Sequence, residues 1–167
     1  MDTLILNGHD LTLQDVYDVA YDGRKVEIAA DAYARLATGR EIMQELSKGG
    51  KAIYGFNRGV GQNKDVTIDE DFMETQNRMM LRSHSLPPFN TDEEVRAMMV
   101  IRLNNMLIGA SCASDDLANS YRDFLNHGIT PRIPRRGAVG EADITTITHI
   151  GLAFIGEEDV NYKGNVV

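Results

Sequence analysis

Cysteine is almost missing from this chain. Cys112 stands alone, so no internal disulfide framework can form, and a single thiol suits a reducing cytoplasm. No apolar run approaches the ~20 residues a membrane-crossing helix requires. Basic residues are also short, with 17 Lys and Arg against 25 Asp and Glu, a net charge of −8. Nucleic acid and acidic bilayers both attract cationic surfaces, so neither is expected as a partner. Met1-Asp2 opens without the basic segment of a secretory signal, and a cytoplasmic location is the expectation. Internal repeats, low-complexity tracts and Walker spacing are absent. The four histidines and the acidic pair Glu141/Asp143 lack metal-ligand spacing, so no metal site is expected.

What is present is ample apolar material, 43% of 167 residues, which suits one domain spanning residues 1–167. Leu4-Ile5-Leu6 reads as a short strand broken at Asn7-Gly8. Thr12-x-x-Asp15 has the form of a helix start, the helix running to about Ala20. A longer helix is predicted from Ala29 to Ser47, with Tyr33, Leu36, Met43 and Leu46 on one stripe and Gly49-Gly50 as its stop. Thr67-x-x-Glu70 is predicted to open a helix ending near Ser83-His84, with Pro87-Pro88 enforcing the break. Thr91-x-x-Glu94 opens the clearest helix. Val95, Met98, Met99, Leu103, Met106 and Leu107 repeat at helical spacing, and Val100, Ile101 and Ile108 lie off that stripe. Such a helix is expected to be surrounded by protein. Asp115 to Asn126 forms one more, ended by Gly128. The reading is mainly α, with a little strand at the N-terminus.

Two stretches invite chemistry. In Lys51–Lys64, KAIYGFNRGVGQNK, Gly55, Gly59 and Gly61 mark a mobile loop just after Tyr54. In Gly128–Val167 a Pro-rich loop passes through Gly137 and Gly140 into Glu141-Ala142-Asp143 and then an apolar stretch from Ile144 to Ile155. A shaped loop delivered onto a helix N-terminus brings unpaired N–H groups and the positive dipole end together. A tight connection between packed helices reads the same way.

The blocks LTLQDV, YGFNRGVG, RSHS, RAMMVIRLNNMLIGAS and GITPRIPRRGAVGEADITTITHIGLAFIGE occur in the order found in the histidine/phenylalanine ammonia-lyases. Nearly the whole chain resembles the N-terminal third of that superfamily. The resemblance implies the N-terminal part of a helical lyase fold, with short strands and a loop-rich active-site region. It also implies elimination of ammonia from aromatic amino acids by a methylidene-imidazolone electrophile cyclised from Ala-Ser-Gly.

The departures are specific. Where the family reads G-S-V-G-A-S-G-D-L-A-P-L-x-H, this chain has Gly137-Ala138-Val139-Gly140, Glu141-Ala142, then Asp143 through His149. Two residues stand where three should, and no serine is there to dehydrate. No cofactor or electrophile is therefore expected. Without that electron sink, the substrate must carry a nitrogen that leaves easily, such as a trimethylammonium group. In this the chain resembles the family's ergothionase branch, or a relative of it.

The resemblance also implies roles. Tyr54 matches the catalytic base, which needs surroundings favouring an ionised phenol. Arg58 replaces a small threonine and could grip a carboxylate. His84 matches a substrate-side histidine, and Glu141 stands at the vacated electrophile position, where it could attract a cationic ammonium. Each also has a structural reading: a packing tyrosine, a solvated arginine, a satisfied histidine, a helix cap. Family members are roughly three times longer, implying a larger C-terminal subunit and a symmetric, tetramer-like hetero-oligomer around a small-molecule substrate. Three functional expectations follow. The first is an electrophile-free C–N lyase subunit active with its complementary chain; the others are a non-catalytic structural or regulatory subunit and a conventional histidine ammonia-lyase subunit.

Overall fold

A computed structural model describes residues 1–82, 85–137, 140 and 145–167. Ser83 and His84, and the segments 138–139 and 141–144, lie outside the described residues.

The chain begins with β1 (Leu4–Leu6), α1 (Leu13–Ala20) and β2 (Val26–Ile28), a unit in which the two strands pair in parallel, Leu4 with Val26 and Leu6 with Ile28. Thr12 caps α1 as its spacing predicts. Its hydroxyl accepts from Asp15 N–H at 3.1 Å while the Asp15 carboxylate accepts from Thr12 N–H at 3.1 Å. The Thr12 hydroxyl bond, ahead of the Arg24 guanidinium, holds the Asp15 carboxyl below the usual range.

α2 (Ala30–Lys48) follows, and its stripe is only half used: Ala32 and Leu36 are fully buried, whereas Leu46 is exposed. The reason lies in where the helix touches the body. A Cβ on Gly39 would stand 2.3 Å from the carbonyl oxygen of Gly109, so only glycine lets these backbones approach. Arg35 adds to the junction, donating to Leu107 O at 3.1 Å and Asn7 O at 2.6 Å. Beyond Gly39 the helix carries its apolar residues outward, with Ile42 exposed as well as Leu46.

After a loop containing a short 3₁₀ turn (Gly61–Asn63), α3 (Glu70–Leu81) begins with Asp69, not Thr67, at the cap position. The predicted Thr67 start is thus two residues early. Thr67 is instead bridged to Arg58 as extended backbone. β3 (Leu86–Phe89) contains the Pro87-Pro88 pair. α3 has already ended at Leu81, and the pair sits in a strand, because an edge strand tolerates residues without N–H donors.

α4 (Asp92–Met106) is the centre of the core. Its capping box is formed by Thr91 and Glu94. Val95, Met99, Val100 and Leu103 are fully sequestered, each worth about 1.5–3 kcal/mol of burial. α1 and α5 (Asp115–His127) pack on it. It is not covered all round within this chain: Ile101 is exposed, as is Ile108 just beyond its end.

The remaining strands, β4 (Thr130–Pro131), β5 (Pro134–Arg136), β6 (Val160–Tyr162) and β7 (Asn165–Val166), flank α6 (Thr145–Phe154). β4, β6 and β7 form one antiparallel sheet, and β5 pairs with β3. These strands were not anticipated from the sequence. Six helices among the described residues make the fold mainly α, as expected. No helix among those residues is long and apolar enough to cross a membrane.

Candidate active site

The glycine-rich loop is organised by Asn57, which no sequence motif singles out. Its side-chain oxygen accepts from Ile53 N–H at 2.7 Å, and its amide donates to Ser47 at 3.0 Å and Lys51 O at 2.9 Å. Gly59 donates to Val66 O at 3.0 Å, and a Cβ there would lie 2.3 Å from Asn63 O, so the loop closes tightly on itself.

This frame presents Tyr54 and Arg58. Tyr54 is 66% exposed, so it is not the half-buried packing residue of the structural reading. Its hydroxyl accepts the Gly61 N–H at 3.0 Å, joining the two ends of the glycine run. Backbone bridges connect Tyr54 to Arg58 and Arg58 to Thr67. Arg58 is half-buried, and its guanidinium donates to Asn57 O at 2.9 Å. The two side chains line neighbouring clefts. Tyr54 faces one of about 690 Å³ with Met43, Leu46 and Cys112; Arg58 faces one of about 700 Å³ with Gln44, Lys48 and Thr67. Arg40 and Phe56 line both. Arg40, Lys48 and Arg58 give the second cleft three cations and no described carboxylate, which suits an anionic group.

His84 and Glu141 lie outside the described residues. The connector holding His84 runs from α3 to β3, and that holding Glu141 runs from β5 to α6. α3 packs on α6, and β3 pairs with β5.

One further cluster lies on these elements. His149 of α6 is buried, its Nε2 hydrogen-bonded to the Ser85 hydroxyl and its Nδ1 to the Glu158 carboxylate. The neighbouring Glu157 accepts from Arg78 at 2.8 Å and Arg82 at 2.9 Å, and the Arg82 bond is the main reason its carboxyl is held below the usual range. Sequence reading met His149 only as a landmark. Ser85 and Glu158 carried no signal, because their meeting depends on contacts 64 residues apart in one case. No group of three or more potential metal ligands is present among the described residues.

The described residues form a largely helical unit with a glycine-rich tyrosine loop between α2 and α3. The aromatic amino acid lyase model matches residues 11–167, and the chain belongs to that family. Histidine ammonia-lyase of Macrococcus caseolyticus is 36% identical over 165 residues, covering 96% of this chain and 33% of its own length. Among solved structures, ergothionase from Treponema denticola, an ergothioneine-degrading enzyme bound to desmethyl-ergothioneine sulfonic acid, superposes with a TM-score of 0.96 at 51% identity. That match covers 99% of this chain and 34% of the ergothionase chain. Tyrosine aminomutase from Streptomyces globisporus is 28% identical with a TM-score of 0.89, covering 99% and 31%. The chain thus spans about a third of the length of these relatives.

Proposed function

We propose that this chain is the N-terminal part of a C–N lyase that works without a methylidene-imidazolone group, on a histidine-type or aromatic betaine whose nitrogen leaves as a neutral tertiary amine. The carrying observation is the run Gly140-Glu141-Ala142-Asp143. Forming the electrophile requires a serine that dehydrates and a following glycine whose nitrogen closes the ring. Glutamate and alanine supply neither, so the residues present do not fit that group and no step passes through it. The 51% identity to ergothionase, against 36% to the Macrococcus histidine ammonia-lyase, supports the same reading.

The chemistry follows from the leaving group. A base takes the β-proton, the Cβ–H electron pair becomes the C=C bond, and the C–N bond breaks with its pair going to nitrogen. A quaternary nitrogen departs neutral without being protonated. Tyr54 is the base, its phenol oxygen exposed on the loop beside the clefts. Arg58, in the all-cationic cleft, grips the substrate carboxylate, and Arg40 reinforces the positive field. His84 contacts the substrate, and Glu141 at the former electrophile position attracts the cationic ammonium. Residues 1–167 form one partial domain, completed by a larger C-terminal lyase subunit in a symmetric, tetramer-like assembly. A cytoplasmic location accords with the single cysteine.

Tyr54→Phe in the assembled enzyme tests this reading. Loss of a general base is expected to lower kcat by about 10²–10⁴-fold with trimethylamine release from ergothioneine as the assay. Undiminished turnover would favour a non-catalytic, structural role for this chain.

A further inference from the structure

Acids outnumber bases in this chain, 25 against 17, so an arginine seldom lacks a carboxylate nearby. Arg24, Arg35, Arg78, Arg82 and Arg122 each pair with one at 2.6–2.9 Å. Arg40 and Arg58 differ. Among the described residues neither forms an ion pair, and each guanidinium makes one hydrogen bond, to a backbone carbonyl. The charged residues lining the Tyr54 cleft are Arg40 and Lys51, and those lining its neighbour are Arg40, Lys48 and Arg58. Neither lining includes a described acid.

Arg40 is the cation common to both clefts. It follows Gly39, where α2 approaches the 109–112 turn so closely that a Cβ would stand 2.3 Å from Gly109 O. Its Nη1 donates to Cys112 O at 3.4 Å, a long bond that occupies one of five N–H donors. Two half-buried guanidiniums on one cleft repel each other and forfeit part of their hydration. An anion reached by both relieves each penalty. A carboxylate offers about four acceptor sites on two oxygens, enough for two arginine forks. On the Tyr54 side the lining turns apolar, with Met43, Leu46 and Ile53, which suits an uncharged ring.

We propose that Arg40 is a substrate-binding residue of the lyase: at the border of the two clefts it shares the substrate carboxylate with Arg58 and directs the rest of the molecule toward Tyr54. This rests on the proposed lyase function and assigns the substrate's charge requirement to a helix residue outside the glycine-rich loop. The site selects carboxylated betaines over analogues that are neutral at the same position.

The experiment uses trimethylamine release by the assembled enzyme from ergothioneine and from its carboxamide. Wild type is expected to favour the acid in kcat/KM by about 10–100-fold or more, the worth of charge-assisted hydrogen bonds to one carboxylate. Arg40→Met keeps an unbranched side chain of good helix propensity and removes the fork. It is expected to cut the acid-to-amide preference at least tenfold, chiefly through KM for the acid, while the amide is turned over within about threefold of wild type. Arg40→Lys is expected to recover part of the preference. Arg58→Met is expected to act in the same way, and the double variant to lose less than the product of the two single losses, because one carboxylate serves both arginines. A loosened 109–112 turn would slow both substrates alike, so the ratio separates binding from structure. An unchanged ratio in Arg40→Met overturns the proposal alone and places the carboxylate elsewhere. Absence of turnover of either substrate by the wild type overturns the lyase reading itself and this assignment with it.

Discussion

Arg58 shows how a residue's chemistry depends on its neighbours. In isolation a loop arginine is ordinarily solvated, but here it shares a cleft with Arg40 and Lys48 and no described acid, so an incoming carboxylate meets little competition. A bidentate grip makes lysine a poor replacement, because a point charge cannot offer two parallel N–H groups. Arg58→Lys is expected to raise KM for a carboxylated betaine by about 10-fold or more, the worth of one charge-assisted hydrogen bond, with a smaller effect on kcat. Initial-rate kinetics check this, and an unchanged KM would place the carboxylate elsewhere. At this scale the sequence was informative only through resemblance. Tyr54 and Arg58 stand out because a family pattern passes through them. Asn57, which makes three side-chain bonds that hold their loop, and His149, bonded on both ring nitrogens, stand out only once the chain is folded.

Helices declared themselves where a local signal suffices. The Thr12/Asp15 and Thr91/Glu94 capping boxes formed as their spacing requires, since such a box needs only four consecutive residues. Thr67 and Glu70 have the same spacing, yet the backbone at Thr67 is drawn into a bridge with Arg58 and the helix starts later. Strands of two to four residues, three of them containing prolines, are too short to show alternation, and the partners of β3 and β4 come from distant segments. Within α4 the difference between faces is measurable. Leu103→Ala is expected to cost about 2–5 kcal/mol by denaturant unfolding, whereas Ile101→Ala, on an exposed position, should stay within about 0.5 kcal/mol. The link from α3 to the 157–158 turn has a pH signature. Glu157 is depressed from its ordinary value of 4.5, chiefly by the Arg82 bond, so its contribution is fully present above that value. It is lost as the pH falls through the lower folded-state value. Thermal melts from pH 7 to 3 should show Glu157→Gln flattening the acid limb of stability, and an identical limb in the variant would contradict the clasp.

The molecule as a whole leaves apolar side chains uncovered. Ile42 and Leu46 of α2, Tyr54 of the loop, and Phe72 and Met79 of α3 are all exposed. Relatives three times as long carry further chain that could cover such residues, which accords with the larger partner subunit of the proposed function. What the whole assembly does depends on one chemical point: the segment Gly140-Glu141-Ala142-Asp143 has no serine from which to build an electron sink. Trimethylamine release from ergothioneine, measured in the assembled enzyme before and after borohydride treatment, tests that point most directly. The account predicts turnover that borohydride leaves intact, with no ammonia released from free histidine; inactivation by borohydride, or ammonia release from histidine, would contradict it.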